Sequence, residues 1–112
     1  MKIYHNPRCR KSREALNYLQ DKGISIEVID YMKNPISKEE LTHVLHLLDY
    51  KAENLLRNNE AIYKEKFKGL ELTEEEWIEA MIEHPKLMER PIVVGKDNAV
   101  VARPLEKIQE IL

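Results

Sequence analysis

Residues 2–29 read KIYHNPRCRKSREALNYLQDKGISIEVI, and the order of signals within them decides the fold. Lys2–Tyr4 is a short β-strand candidate, closed by Asn6-Pro7 because proline lacks a ladder donor and fixes its own φ. From Arg8 to Lys22 there is neither glycine nor proline, and Ala15, Leu16 and Leu19 fall at helical spacing. Gly23 is placed to end that helix in a left-handed turn. The next run, Ile24–Ile29, is β-branched and alternating, which predicts a second strand with Ile24, Ile26 and Val28 on one face. Strand, helix, strand is a βαβ unit, expected parallel and right-handed.

Beyond this unit the pattern turns helical. Ser37-Lys38-Glu39-Glu40 is a capping box, and Leu41, Val44, Leu45 and Leu48 follow at the spacing of one helix face. A second box, Thr73-Glu74-Glu75-Glu76, is flanked by Leu72 and Trp77 at the staple positions, with Ile78, Met81 and Ile82 continuing the face. A shorter helix is expected around Lys51–Arg57. No clear period marks the residues from Asn58 to Gly69. After His84-Pro85, Ile92–Val94 and Ala99–Ala102 flank Gly95-Lys96-Asp97-Asn98, which predicts a β-hairpin with a four-residue loop. Pro104 then opens a last helix with Leu105, Ile108 and Leu112 inward. The resulting order, βαβ, helices, ββα, is that of an α/β chain with a thioredoxin-like fold. It predicts a four-stranded mixed sheet with a helical insertion at about residues 37–89, all within a single domain, 1–112.

At 112 residues the chain has one core to bury, and its three glycines and five prolines are those of a globular protein rather than a disordered one. No window approaches the roughly 18 apolar residues of a spanning helix, and the N-terminus lacks the apolar segment of a secretory signal. No membrane association is expected, and the simplest address is the cytoplasm. The single cysteine, Cys9, excludes an intrachain disulfide and any multi-cysteine zinc site. His43 and His46 are spaced for half of a metal site, but without a third ligand nearby they read as solvated, so no metal is expected. His84 reads as a helix C-terminal residue, and Met32, Met81 and Met88 as core filler.

The net charge of −2 conceals an asymmetry, for residues 1–13 carry Lys2, Arg8, Arg10, Lys11 and Arg13 with no acid. No aromatic residues are interleaved with this block, which argues against a nucleic-acid surface. The block surrounds Cys9 at the junction of the first strand and first helix, where unpaired N–H groups and the helix dipole favour an anion. Such surroundings lower a thiol pKa, so Cys9 is expected to be a thiolate near neutral pH. Ser12 makes a CxxS arrangement with it. A serine cannot resolve a disulfide; it can donate a hydrogen bond to the Cys9 sulfur or to a bound oxyanion. Arg90 precedes Pro91 and the first hairpin strand, and Arg103 follows the second, so antiparallel pairing at about 4.8 Å brings both to one end. Two guanidinium forks at that distance suit a tetrahedral oxyanion. The Arg90–Pro91 bond is expected to be cis.

These residues resemble a known family. Tyr4-His5-Asn6-Pro7-Arg8-Cys9-Arg10-Lys11-Ser12-Arg13, then Leu55-Leu56-Arg57-Asn58, then Arg90-Pro91-Ile92-Val93-Val94 and Ala102-Arg103-Pro104 look like the glutaredoxin-coupled arsenate reductases of the thioredoxin superfamily. The resemblance implies that Cys9 is the nucleophile and that Arg57, Arg90 and Arg103 bind the oxyanion, with His5 and Ser12 around the thiol and Pro91 in support. It further implies arsenate or a similar tetrahedral oxyanion as substrate, glutathione as co-substrate, glutaredoxin as partner and no bound cofactor. Arg10 and Lys11 stand where small or polar residues are expected between the cysteine and the serine, and their added charge should strengthen anion binding or alter the choice of thiol. Two alternatives stay open. One is a regulator of the Spx type that binds RNA polymerase, against which Ser12 argues because such a switch uses CxxC. The other is a general monothiol oxidoreductase acting on glutathione mixed disulfides, which would hardly need Arg57.

Overall fold

A computed structural model describes all residues, 1–112, in two compact units: Met1–Asn34 with Arg90–Leu112, and Pro35–Glu89. The first holds the sheet. Strands β1 (Lys2–His5), β2 (Glu27–Asp30), β3 (Ile92–Val94) and β4 (Ala99–Val101) lie in the order β2-β1-β3-β4. β1 and β2 are parallel, as the βαβ reading requires, and the hairpin β3–β4 joins β1 antiparallel. Ile3, Val93 and Val100 stand in register across three strands, and with Ala15, Leu19, Ala102 and Ile108 they form the buried cluster of one sheet face. Helix α1 (Arg10–Asp21) covers that face, since its buried positions Ala15 and Leu19 belong to the same cluster. Gly23 takes the left-handed φ of 73° expected of it.

Two predicted boundaries move. The second strand begins at Glu27, not Ile24: the Ile24 N–H is taken by the Leu19 carbonyl (3.2 Å), and Ile24 and Ile26 pack on the α1 cluster instead of alternating along a strand. β2 is an edge strand, and Val28, in register with Ile3 and so on the same face, is left 44% exposed there. The last helix is a 3₁₀ segment over Leu105–Ile111. Three residues per turn align Leu105, Ile108 and Ile111, so Ile111 takes the inward place assigned to Leu112, which is 55% exposed.

The second unit is all helical. Helix α2 (Lys38–Leu48) begins at Ser37, whose Oγ accepts from Glu40 N–H (3.1 Å), and buries the predicted Leu41, Val44, Leu45 and Leu48. It ends on Asp49 at a φ of 58°. Helix α3 (Glu74–Glu83) carries a complete capping box: Thr73 Oγ1 accepts from Glu76 N–H at 3.1 Å, and Glu76 Oε1 accepts from Thr73 N–H at 2.9 Å. The shorter helix shrinks to a 3₁₀ turn, Ala52–Leu55, whose first N–H donates to both Glu74 carboxylate oxygens. A π-helical turn, Tyr63–Phe67, occupies the stretch without a clear period and sets Tyr63 and Phe67 against Trp77. Met81 and Met88 are core residues; His43 and His46 are exposed on α2. No helix is long and apolar enough to cross a membrane.

Candidate functional site

The C-terminal end of β1, the start of α1 and the open end of the hairpin meet at one edge of the sheet. The β1 strand finishes at His5, and Asn6 then organises the turn. Its carbonyl accepts from Cys9 N–H (2.9 Å), and its side-chain Oδ1 accepts from Arg8 N–H (3.0 Å), closing an Asx turn. Asn6 was singled out in the sequence only as a strand terminator, although an Asx turn ahead of a helix is a recognisable signal. Cys9 is the N-cap of α1, in extended conformation, so its side chain stands among the unpaired N–H groups of the first turn.

The thiol is buried, 8% exposed, and burial by itself pushes its pKa up. The net shift is nevertheless downward, because the backbone N–H of Ser12, the Arg90 side chain and charge, and the backbone N–H of Lys11 all favour the thiolate. Arg103 Nη2 also donates to Cys9 Sγ at 3.8 Å. The N–H groups of the first turn thus act as expected, but the cations that join them are not the ones beside Cys9 in sequence. Arg10 is bound to Glu14 (3.0 Å), Lys11 Nζ stands 4.0 Å from the same carboxylate, and Arg13 donates to the Pro7 carbonyl (2.9 Å). Arg10, Lys11 and Arg13 thus lie against local partners and not against the sulfur. The i, i+4 spacing of Arg10 and Glu14 was visible in the sequence as a helix-surface pair.

Ser12 is also corrected. Its hydroxyl is fully buried and engaged away from the sulfur: it accepts from Asn6 N–H (3.0 Å) and meets His5 Nδ1 at 2.6 Å. With Asn6 donating to one lone pair of Oγ, the hydroxyl keeps a second lone pair and its own proton, and so it can meet Nδ1 in either imidazole tautomer. Burial pushes the His5 pKa below 6.5, opposed by the charge of Asp30 and assisted by that of Arg13. Ser12 therefore reaches Cys9 through its main chain, while its side chain locks β1 to α1.

The hairpin delivers the other two cations. Ile92 pairs with Val101, and Ala102 N–H donates to the Pro91 carbonyl (2.9 Å), so Arg90 and Arg103 leave the strands side by side. Arg103 Nε donates to the Arg90 carbonyl at 2.6 Å. Neither arginine pairs with a carboxylate, and the buried Nε of Arg90 has no hydrogen-bond partner. The Arg90–Pro91 bond is cis, as expected, and so is Arg103–Pro104. The sheet unit thus brings together Cys9, His5, Ser12, Pro91, Arg90 and Arg103. Arg57 belongs to the helical unit, where its N–H donates to the Leu87 carbonyl (2.7 Å) and its guanidinium lies 3.3 Å from Glu60. No group of three His, Cys, Asp or Glu residues is arranged to hold a metal.

A buried, activated thiol at a helix N-terminus, with unpaired arginines beside it, is a site built for an anion. The ArsC family model matches residues 4–111, from β1 to the last 3₁₀ segment. The chain belongs to the ArsC family. Among relatives of this ArsC-family chain, the Escherichia coli protein titled "Uncharacterized protein YfgD" is 46% identical over the whole chain and 96% of its own length. A Neisseria meningitidis protein named arsenate reductase is 40% identical, over the whole chain and 97% of its length. The solved structure titled "Arsenate reductase from Vibrio cholerae" superposes with a TM-score of 0.93 at 43% identity, covering 100% of this chain and 98% of that one.

Proposed function

We propose that this ArsC-family chain is an arsenate reductase in which the Cys9 thiolate attacks arsenate, with glutathione and glutaredoxin supplying the electrons. The observation that carries the reading is the setting of the only cysteine. Its pKa is lowered, Arg103 Nη2 lies 3.8 Å from its sulfur, and Arg90 adds its charge there while keeping a buried Nε without a partner. Planar guanidinium donors match the oxygens of a tetrahedral anion. As the sulfur attacks, an S–As bond forms and an As–O bond breaks, the oxygen leaving as water once protonated. Arsenic is still pentavalent at that stage.

Reduction to the trivalent state takes two electrons, and one cysteine supplies them only together with a second thiol. Glutathione provides it: arsenic accepts the pair as Cys9 and glutathione are oxidised to a mixed disulfide, and glutaredoxin removes the glutathione by thiol exchange. The scheme calls for no resident cofactor and suits a reducing compartment such as the cytoplasm. His5 and Ser12 hold the turn that aims the first N–H groups of α1 at the sulfur, and Pro91 sets Arg90 at the head of β3. Arg57 enters the oxyanion set on motif resemblance alone. The test is oxidation of reduced glutathione, with glutaredoxin recycling, measured with and without arsenate. Arsenate-dependent turnover is expected. Turnover indifferent to arsenate would replace the reading with a general thiol oxidoreductase, and a folded but inert protein would favour a regulator.

A further inference from the structure

The proposed chemistry needs a second thiol at Cys9, yet the sulfur itself is nearly closed to solvent. A cleft lies beside it, on the far side of Arg103. It encloses about 480 Å³ and runs between the first turn of α1 and the start of the last 3₁₀ segment, lined by Lys11, Glu14, Arg103, Leu105 and Glu106 among others. That volume is within the range of about 300–1,000 Å³ typical of small-ligand sites. Arg103 is the wall shared with the thiol: it lines the cleft while its Nη2 donates to Cys9 Sγ. The Arg103 guanidinium is therefore what separates the cleft from the sulfur.

The charges of the cleft are not equivalent. Glu14 is engaged by Arg10 at 3.0 Å, whereas Lys11 stands 4.0 Å from that carboxylate with its side chain 59% exposed. Glu106 is exposed and makes no ion pair, at the opening of the 3₁₀ segment. The α1 wall thus offers Lys11 beside the already engaged Glu14, the 3₁₀ wall offers the Glu106 carboxylate, and Ala102 and Leu105 add apolar surface. That pattern fits a molecule carrying a carboxylate and an ammonium on a short stem.

We infer that this cleft is the docking site of the second thiol, a zwitterionic peptide thiol of the glutathione class, with Lys11 receiving a carboxylate and Glu106 the ammonium. The inference rests on the reading of Cys9 as the nucleophile. It gives a role to the side chain of Lys11, whose backbone N–H already favours the thiolate: choosing the thiol partner.

Disulfide exchange tests it without arsenate. Cys9 thiolate attacks one sulfur of oxidised glutathione, the S–S bond breaks, a Cys9–glutathione mixed disulfide forms and glutathione thiolate leaves. The rate is compared with that of 2-hydroxyethyl disulfide, which is uncharged, by mass spectrometry on wild type, Lys11→Glu, Glu106→Gln and Lys96→Glu. Lys96 sits in the hairpin loop away from the cleft, so its variant matches the charge change of Lys11→Glu at another place. The expected result is a ratio of glutathione to uncharged rates that falls tenfold or more in Lys11→Glu, severalfold in Glu106→Gln, and less than twofold in Lys96→Glu. If Cys9 reacts and the ratio holds within twofold in both cleft variants, or falls equally in Lys96→Glu, the cleft is not the thiol site. If Cys9 reacts with neither disulfide, the nucleophile reading falls, and the inference with it.

Discussion

Two stretches of this chain are rich in arginine around one thiol, and they behave in opposite ways. Residues 8–13 surround Cys9 in sequence, yet Arg10 and Lys11 share Glu14, and Arg13 is spent on the Pro7 carbonyl. Residues 90–103 are eighty or more positions away, and they supply the guanidinium at the sulfur and the arginine with an unpartnered Nε. Proximity along a helix places side chains on a rotating surface, most of it facing water. A hairpin end instead fixes two side chains by main-chain pairing. Charge density in the sequence marks the neighbourhood of a site, and convergence through the sheet makes the site.

The sharpest way to break this contrast is to remove the thiol. Cys9→Ser is expected to abolish arsenate-dependent turnover while circular dichroism stays native, since serine is not a nucleophile of comparable strength at neutral pH. Retained activity would end the covalent reading. Next in size are the arginines: Arg90→Lys and Arg103→Lys should each lower kcat/KM for arsenate by about tenfold or more, because the planar fork is lost though charge is kept. Arg8→Lys and Arg13→Lys should stay within about twofold. Equal losses from both groups, measured by steady-state kinetics at two ionic strengths, would reduce the site to a diffuse basic patch.

Titration sharpens the comparison further. Thiolate absorbance should place the Cys9 pKa below that of a free thiol, about 8.5, and Arg90→Gln should raise it more than Arg10→Gln does. A folded-state pKa that is lowered adds stability above the unfolded value. Cys9 should therefore stabilise the fold most above the unfolded thiol pKa of about 8.5, the gain disappearing as pH falls through its folded pKa. His5 follows the same sign in another window. Its pKa lies below 6.5 when folded, so the unfolded chain takes up the proton first and stability falls as pH drops below 6.5. Urea midpoints at pH 7.5 and 5.5 should show this slope, and His5→Gln should flatten it. The smallest effect is at the exposed pair: Glu14→Gln should cost about 0.5 kcal/mol or less in chemical unfolding, since surface i, i+4 pairs are weak and this one runs in the less favourable order.

The contrast also explains which features could be read in advance. β1, α1, the hairpin register and both helix caps were legible because each is specified locally, by Asn6-Pro7, by the spacing of Ala15 and Leu19, by the loop Gly95–Asn98 and by Ser37 and Thr73. The start of β2 was not, because Ile24–Ile29 alternates like a strand wherever it packs, and only the hold of α1 on Ile24 decides that the ladder begins at Glu27. The last segment was legible as an apolar stripe but not in its winding, since Leu112 and Ile111 differ by one position and a 3₁₀ turn selects the second. At the site, the residues were legible and their wiring was not. Nothing in the order of letters tells that the Ser12 hydroxyl turns to His5 while its N–H turns to Cys9.

The hairpin β3–β4 has two ends with different freedoms. At one, Ile92 faces Val101, the Ala102 N–H is tied to Pro91 and Arg103 Nε to the Arg90 carbonyl, so the spacing of Arg90 and Arg103 is fixed. At the other, Val94 and Ala99 are bridged by Gly95–Asn98, whose middle residues Lys96 and Asp97 are exposed. Extra residues grafted between Lys96 and Asp97, an epitope or a labelling tag, leave the paired strands and the arginine end untouched. One residue inserted between Val101 and Arg103 shifts the parity of the strand and sends the arginine to the opposite face. The same hairpin is editable at its tip and intolerant at its base, which makes the loop the natural handle for immobilising the protein with the arginine end away from the support.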